Sequence, residues 1–243
     1  MGYDIAIDIS DLSYSYPDSL KALDTISLRI SPGENVAIIG PNGAGKSTLL
    51  LHFNGILSGT GSVRINGTPV TKKSVRQVRK TVGYVFQNPE DQLFLPTLFD
   101  DISFGPVQYG LSEEEIRQRV TEILTRFDLT GIANRSSFNL SFGEQKLASL
   151  ATALVMEPEI LVLDEPSSNL DSKHRRELLN ILKNSSQTIV IATHDLDFAA
   201  ELCERSIVLF KGKITADGES RDILTDKELL EENGLELPFG SYF

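Results

Sequence analysis

A chain of 243 residues, 40% of them hydrophobic, has the length and apolar content for one large domain with a sizeable core. Its 34 acidic residues outweigh 23 basic ones, for a formal net charge of −11. That balance excludes the usual nucleic-acid partner, whose phosphates need clustered lysine and arginine, and leaves a basic protein surface as an open possibility. The single cysteine, Cys203, excludes a disulfide framework, fits a cytoplasmic setting and is expected in the core.

Taken in chain order, Ile5, Ile7 and Ile9 alternate with polar neighbours, as do Ile26, Leu28 and Ile30. Both runs read as half-exposed strands of an antiparallel sheet. Val36-Ala37-Ile38-Ile39 is continuously apolar, the pattern of a strand buried on both faces. It leads into a glycine-rich loop, and a helical pattern begins near Lys46. Residues 63–70 predict a hairpin turning at Asn66-Gly67. Residues 112–127 predict the clearest helix, with Ser112 and Glu115 as a capping box and Ile116, Val120, Ile123, Leu124 and Phe127 on one face. A second helical run covers about 142–156. Ile160-Leu161-Val162-Leu163 and Ile189-Val190-Ile191 read as buried parallel strands, with Ile207-Val208-Leu209 a candidate for another. Strands alternating with helices predict an α/β core with a mostly parallel sheet. A helix-rich lobe, about 88–157, is inserted in it, and an extension of about 212–243 ends in a short appended helix carrying Leu229, Leu230 and Leu235. No apolar stretch is long enough to span a membrane. The first residues lack the pattern of a signal peptide, and Ala6 breaks that of myristoylation, so a membrane role requires a partner to hold the chain there.

Gly40-Pro41-Asn42-Gly43-Ala44-Gly45-Lys46-Ser47 fits the phosphate-binding loop in full. Its glycines let main-chain N–H groups turn towards phosphate, and the following helix, which includes Thr48, presents its positive end to the same anion. Lys46 is expected on the β and γ oxygens, and the Ser47 hydroxyl on Mg2+. Some 120 residues later, Asp164-Glu165 closes a buried strand, where ligands of parallel sheets gather. Asp164 is expected to hold Mg2+ and Glu165 to polarise the attacking water.

Leu140-Ser141-Phe142-Gly143-Glu144-Gln145 narrows the class, because it resembles the signature motif of ATP-binding cassette (ABC) proteins. Other elements of that family stand in order. Tyr16 is similar to the aromatic that stacks on adenine, Gln87 to the Q-loop glutamine beside metal and water, Asp171 to the end of the D-loop at 167–171, and His194 to the switch histidine. The resemblance covers nearly the whole chain. It implies an ATP hydrolase using ATP and Mg2+ on a P-loop NTPase core, with an antiparallel β subdomain and an inserted helical lobe. It also implies a homodimer or heterodimer with a second cassette, in which Ser141 and Gly143 face the ATP held by the other subunit. His52 and His174 have no such context and are read as structural.

Phe142 departs from the family by replacing the first signature glycine, which is tolerable if that position keeps a negative φ. Leu147 stands where many members carry arginine. The segment 85–94 with 101–106, and the tail with Leu229-Leu230 and 234–238, resemble energy-coupling-factor transporter ATPases, a group that includes cobalt and nickel importers. That implies work at the cytoplasmic face of the cell membrane, with an integral membrane coupling subunit and a substrate-capture subunit for a cobalt or nickel ion or a vitamin. Coupling is expected around Glu90, Asp91 and Gln92. A soluble cassette outside transport and an ATP-sensing module with little turnover remain the alternatives.

Overall fold

The protein is described by a computed structural model covering residues 3–18 and 20–240. In chain order, β1 (Ile7–Ser15), β2 (Lys21–Ile30) and β3 (Asn35–Ile39) lead to α1 (Lys46–Phe53). Then come β4 (Thr60–Ile65), β5 (Thr68–Pro69), α2 (Val75–Thr81) and β6 (Val82–Val85). Three longer helices follow, α3 (Leu98–Gln108), α4 (Glu113–Arg126) and α5 (Phe142–Leu154). The chain returns through β7 (Ile160–Asp164), α6 (Ser172–Lys183), β8 (Thr188–Thr193), α7 (Leu196–Leu202) and β9 (Arg205–Phe210). It closes with β10 (Lys213–Glu219), α8 (Ser220–Thr225) and α9 (Lys227–Glu232).

The strands make two sheets, β2-β1-β4-β5 and β10-β9-β3-β8-β7-β6. The first is antiparallel, with Ile7 opposite Ile30 and Ile9 opposite Leu28, so the alternating isoleucines share one buried face. Its β4–β5 hairpin turns at Asn66 (φ 47°) and Gly67 (φ 73°), the two left-handed residues a two-residue turn of matching twist requires. The second sheet is parallel except for β10.

Neighbouring residues of the central strands feed opposite cores. Val36, Ile38, Val162 and Val190 pack with α1 and the antiparallel sheet. Ala37, Ile39, Leu161, Leu163 and Ile191 pack with the helices of the other face. Burying each valine, leucine or isoleucine among them contributes about 1.5–3 kcal/mol, which is why these strands carry no polar alternation.

The structure differs from the sequence expectations at two places, the edge strand β6 and the C-terminal segment. Four-residue β6 extends the parallel sheet to an edge the pattern did not reveal. The helix beside the Q-loop is α3, capped by Thr97 and containing residues 101–106, and residues 89–91 before it form a single 3-10 turn. The C-terminal segment starts as edge strand β10, paired with β9 around Lys211 (φ 48°) and Gly212 (φ 76°), and adds two short helices where one was expected. Its Leu230 and Leu235 are buried. No helix among the described residues is long and apolar enough to cross a membrane.

Candidate functional site

Strand β3 delivers residues 40–45 to the start of α1. Gly45 has φ 108°, and a Cβ there would lie 2.5 Å from the Ala22 carbonyl oxygen, so only glycine makes this turn. The turn sets Lys46 at the first position of α1, where it is 6% exposed. Its Nζ donates to the carbonyls of Gly40 (2.7 Å) and Pro41 (3.2 Å) and lies 3.5 Å from Glu165 Oε1. Asn42, Gly43, Ala44, Gly45, Lys46, Ser47 and Thr48 line a cleft of about 480 Å³ together with Tyr16, Gln87 and Glu165. Tyr16 is held in place by a 3.0 Å hydrogen bond between its hydroxyl and Thr48 Oγ1, and by an edge-on contact with Tyr14. Gln87 follows β6, so that unforeseen edge strand is what brings it to the cleft.

Strand β7 carries Asp164 and Glu165 to the same end of the sheet. Ser47 faces the Asp164 carboxyl, and burial holds that carboxyl above the usual carboxylate range. Oδ1 of Asp164 is buried without a partner. A buried orphan oxygen, a serine hydroxyl and a nearby glutamine amide form the oxygen-rich set that Mg2+ accepts. Glu165 has φ 45°, a conformation sparsely populated by residues with a Cβ. Its Oε2 accepts from Thr193 Oγ1 (3.0 Å), and its Oε1 lies 2.9 Å from His194 Nδ1. Thr193 is fully buried, while His194 is half exposed at the end of β8. The carboxylate is thereby aimed from three sides, by Lys46, Thr193 and His194.

The remaining predicted residues form a second cluster. Ser141 caps α5 by accepting from Glu144 N (3.3 Å), and Glu144 reciprocates by accepting from Ser141 N (2.7 Å). Asp171 caps α6, accepting from Lys173 N and His174 N at 2.9 Å each. Its other oxygen accepts from His174 Nδ1 at 2.9 Å. The imidazole of His174 lies on Gly143, where a Cβ would come within 2.4 Å of the ring. Among the described residues, neither Ser141, Gly143 nor Asp171 lines the cleft of the phosphate loop. Phe142 opens α5 and is not among the positive-φ residues, which meets the condition for replacing glycine. Leu147 is buried in the core, so packing replaces the charge contact of an arginine there.

Sequence reasoning misplaced Gln92 and overlooked Lys146. Gln92 is turned inward rather than offered to a partner. Its carbonyl oxygen accepts from Phe86 N (3.1 Å), and its amide donates to Ser149 O and Thr152 Oγ1 on α5. His174, read as merely structural, joins the D-loop segment to the signature. Lys146 is buried with its Nζ 3.0 Å from the Glu165 carbonyl oxygen. A lysine one position from the signature gives no sequence sign of pointing into the core.

A phosphate loop, a paired acidic strand end and a helix-capping signature on a two-sheet frame define an ATP-binding cassette. Comparison with known proteins agrees. Residues 23–168 match the family model described as ABC transporter. A putative ABC transporter ATP-binding protein of Streptomyces avermitilis is 48% identical over 236 residues, covering 97% of this chain and 90% of the relative. An energy-coupling factor transporter ATP-binding protein of Carboxydothermus hydrogenoformans is 44% identical, covering 96% and 88%. The solved structure of cbiO1 from Clostridium perfringens, described as part of the ABC transporter complex cbiONQ, superposes with a TM-score of 0.81 at 37% identity, covering 94% of each chain. The chain belongs to the ABC transporter family. It is an ATP-hydrolysing transporter subunit that uses ATP with Mg2+.

Proposed function

We propose that this chain powers an energy-coupling-factor importer of a small solute, a cobalt or nickel ion or a vitamin, by closing with a second cassette around ATP. The observation that carries this reading is the separation of the two clusters. Ser141 and Gly143 of the signature do not line the chain's own phosphate cleft, in keeping with a site completed by another subunit. In the proposed assignment Tyr16 stacks on adenine, and N–H groups from Gly43 to Thr48 with Lys46 hold the phosphates. Ser47, Asp164 and Gln87 would hold Mg2+, which when bound neutralises charge on the transferring phosphoryl oxygens. Glu165, aimed by Thr193 and His194, accepts a proton from the attacking water. His194 extends towards the γ-phosphate, and Ser141 with the first N–H groups of α5 faces the ATP of the partner cassette. ATP does work by favouring the closed pair over the open one.

The membrane side of the reading is supported by an exposed aromatic pair. Phe94 and Phe104 pack edge to face at 5.4 Å and are 56% and 42% exposed, with Val107 also exposed on α3. Glu90 and Asp91, four and three residues before Phe94, are also exposed. Exposed apolar anchors with carboxylates close by in the chain suit a helix of a membrane coupling subunit that carries arginine. A substrate-capture subunit completes the complex at the cytoplasmic face of the membrane, and no nucleic acid takes part.

Mg-ATP turnover of the purified chain, measured across protein concentrations with Glu165→Gln as control, tests the pairing. Turnover rising faster than linearly is the expected result. Strictly linear turnover from the lowest concentrations would contradict a transient pair of copies.

A further inference from the structure

A buried lysine that the chemistry above does not use joins the signature helix to the general base of the same chain. Lys146 is 3% exposed, and its Nζ donates to the Glu165 carbonyl oxygen at 3.0 Å. That oxygen also accepts from Ser168 Oγ at 2.9 Å and Ser168 N at 3.3 Å. The Glu165 amide donates to Ala192 O at 2.8 Å. The left-handed backbone of Glu165, at φ 45°, is therefore held on both sides, as an unfavoured conformation must be to persist. Of these contacts, only Lys146 comes from the signature helix α5.

The same lysine meets the residue that departs from the family pattern. The ring of Phe142, one helical turn earlier at the start of α5, lies 5.9 Å from Lys146 Nζ. A shift of the α5 end on contact with a partner thus bears on Phe142 and Lys146 together. Burial pushes the Lys146 ammonium down to about 8, against the pull of Asp164 and Glu165. Keeping a cation there is costly, and such buried charges concentrate where position matters for function.

We propose that Lys146 is a positioning residue that relays engagement of this chain's signature, on the partner's ATP, to Glu165 in this chain's own cleft. The relay rests on the two-cassette reading given above. No bond or proton changes at Lys146; it acts by fixing the carbonyl of the base. A misplacement of about 1 Å at a reacting group is enough to cost about a hundredfold in rate.

The test uses full-length Lys146→Met and Lys146→Gln, with the pairing of each read by light scattering in a Glu165→Gln background. For Lys146→Met, kcat is expected to fall about tenfold to a hundredfold while KM stays within about threefold. The Hill coefficient for ATP is expected to fall towards one, with ATP-driven pairing retained. Lys146→Gln, which keeps a shorter and neutral donor, is expected to have an intermediate kcat, and it carries the test if the methionine variant does not fold. Wild-type kcat and cooperativity in the folded variants, with pairing intact, overturn the relay alone. A loss of pairing in step with kcat overturns it as well, by showing that the lysine only supports the fold. Failure of Glu165→Gln with its natural Lys146 to pair in ATP defeats the two-cassette reading and the relay with it.

Discussion

The ammonium of Lys46 and the carboxylate of Glu165 stand 3.5 Å apart with both side chains only 6% exposed. The cation assigned to the phosphates and the base assigned to the water thus face each other across the cleft. Lys46→Ala removes one partner of a buried pair, a change that typically costs about 3–5 kcal/mol. The expected outcome is a fall in Tm together with a fall in turnover of at least about a hundredfold. Thermal denaturation and a coupled ATPase assay check both. An unchanged Tm would show that His194 and Thr193 alone satisfy Glu165.

Asp164 presents the opposite case, a carboxylate whose orphan Oδ1 is held in place at the expense of stability. Asp164→Asn keeps the shape and removes the buried charge. Without Mg2+, its Tm is expected to rise by about 2–4 °C, as for a gain of about 1 kcal/mol in a chain of this size. Turnover is expected to vanish. A lower Tm in metal-free buffer would mean that Lys46 and Lys146 already compensate the charge.

Gly143 is a glycine because of His174. Gly143→Ala places a methyl 2.4 Å from the imidazole Cγ, so the ring must leave Asp171. The single variant is expected to lose about 1–3 kcal/mol. In the double variant with His174→Ala the clash is absent, and the loss should be smaller than the sum of the two single losses. Urea unfolding of the four proteins measures the coupling, and simple additivity would contradict the contact.

Much of this architecture was legible because its signals are local. The alternating isoleucines of β1 and β2, the Asn66-Gly67 turn and the capping box at Ser112 each carry their own instruction. The phosphate loop was legible for the same reason, since consecutive residues build it. What escaped the sequence depends on distant neighbours. β6 is too short to show a period, and it is a strand only because β7 pairs with it. Gln92 reads as a surface polar residue until Phe86, Ser149 and Thr152 surround it. His174 and Lys146 have ordinary helical contexts. Their roles arise where α6 meets α5 and where α5 meets the end of β7.

Lys146 also gives the stability of the protein a pH dependence. Burial lowers its pKa from 10.5 to about 8. Between those values the unfolded chain binds more protons than the folded one, so this group makes stability rise with pH. The burial penalty is present in full below about pH 8 and has gone above about pH 10.5. Relative to Lys146→Met, the wild type is therefore expected to gain up to about 3 kcal/mol between about pH 7.5 and about pH 10.5. Urea unfolding of both proteins at the two pH values measures the change. A gap independent of pH would contradict the burial of a charged amine.

The central claim, that the signature of one cassette completes the phosphate site of another, is tested most directly by the mass of Glu165→Gln in solution. This variant keeps the phosphate loop intact and removes the proposed base, so ATP is expected to stay bound. The account predicts a species of twice 26.8 kDa in Mg-ATP and a 26.8 kDa monomer in Mg-ADP. A chain that binds ATP stoichiometrically yet remains at 26.8 kDa at every protein concentration would contradict it.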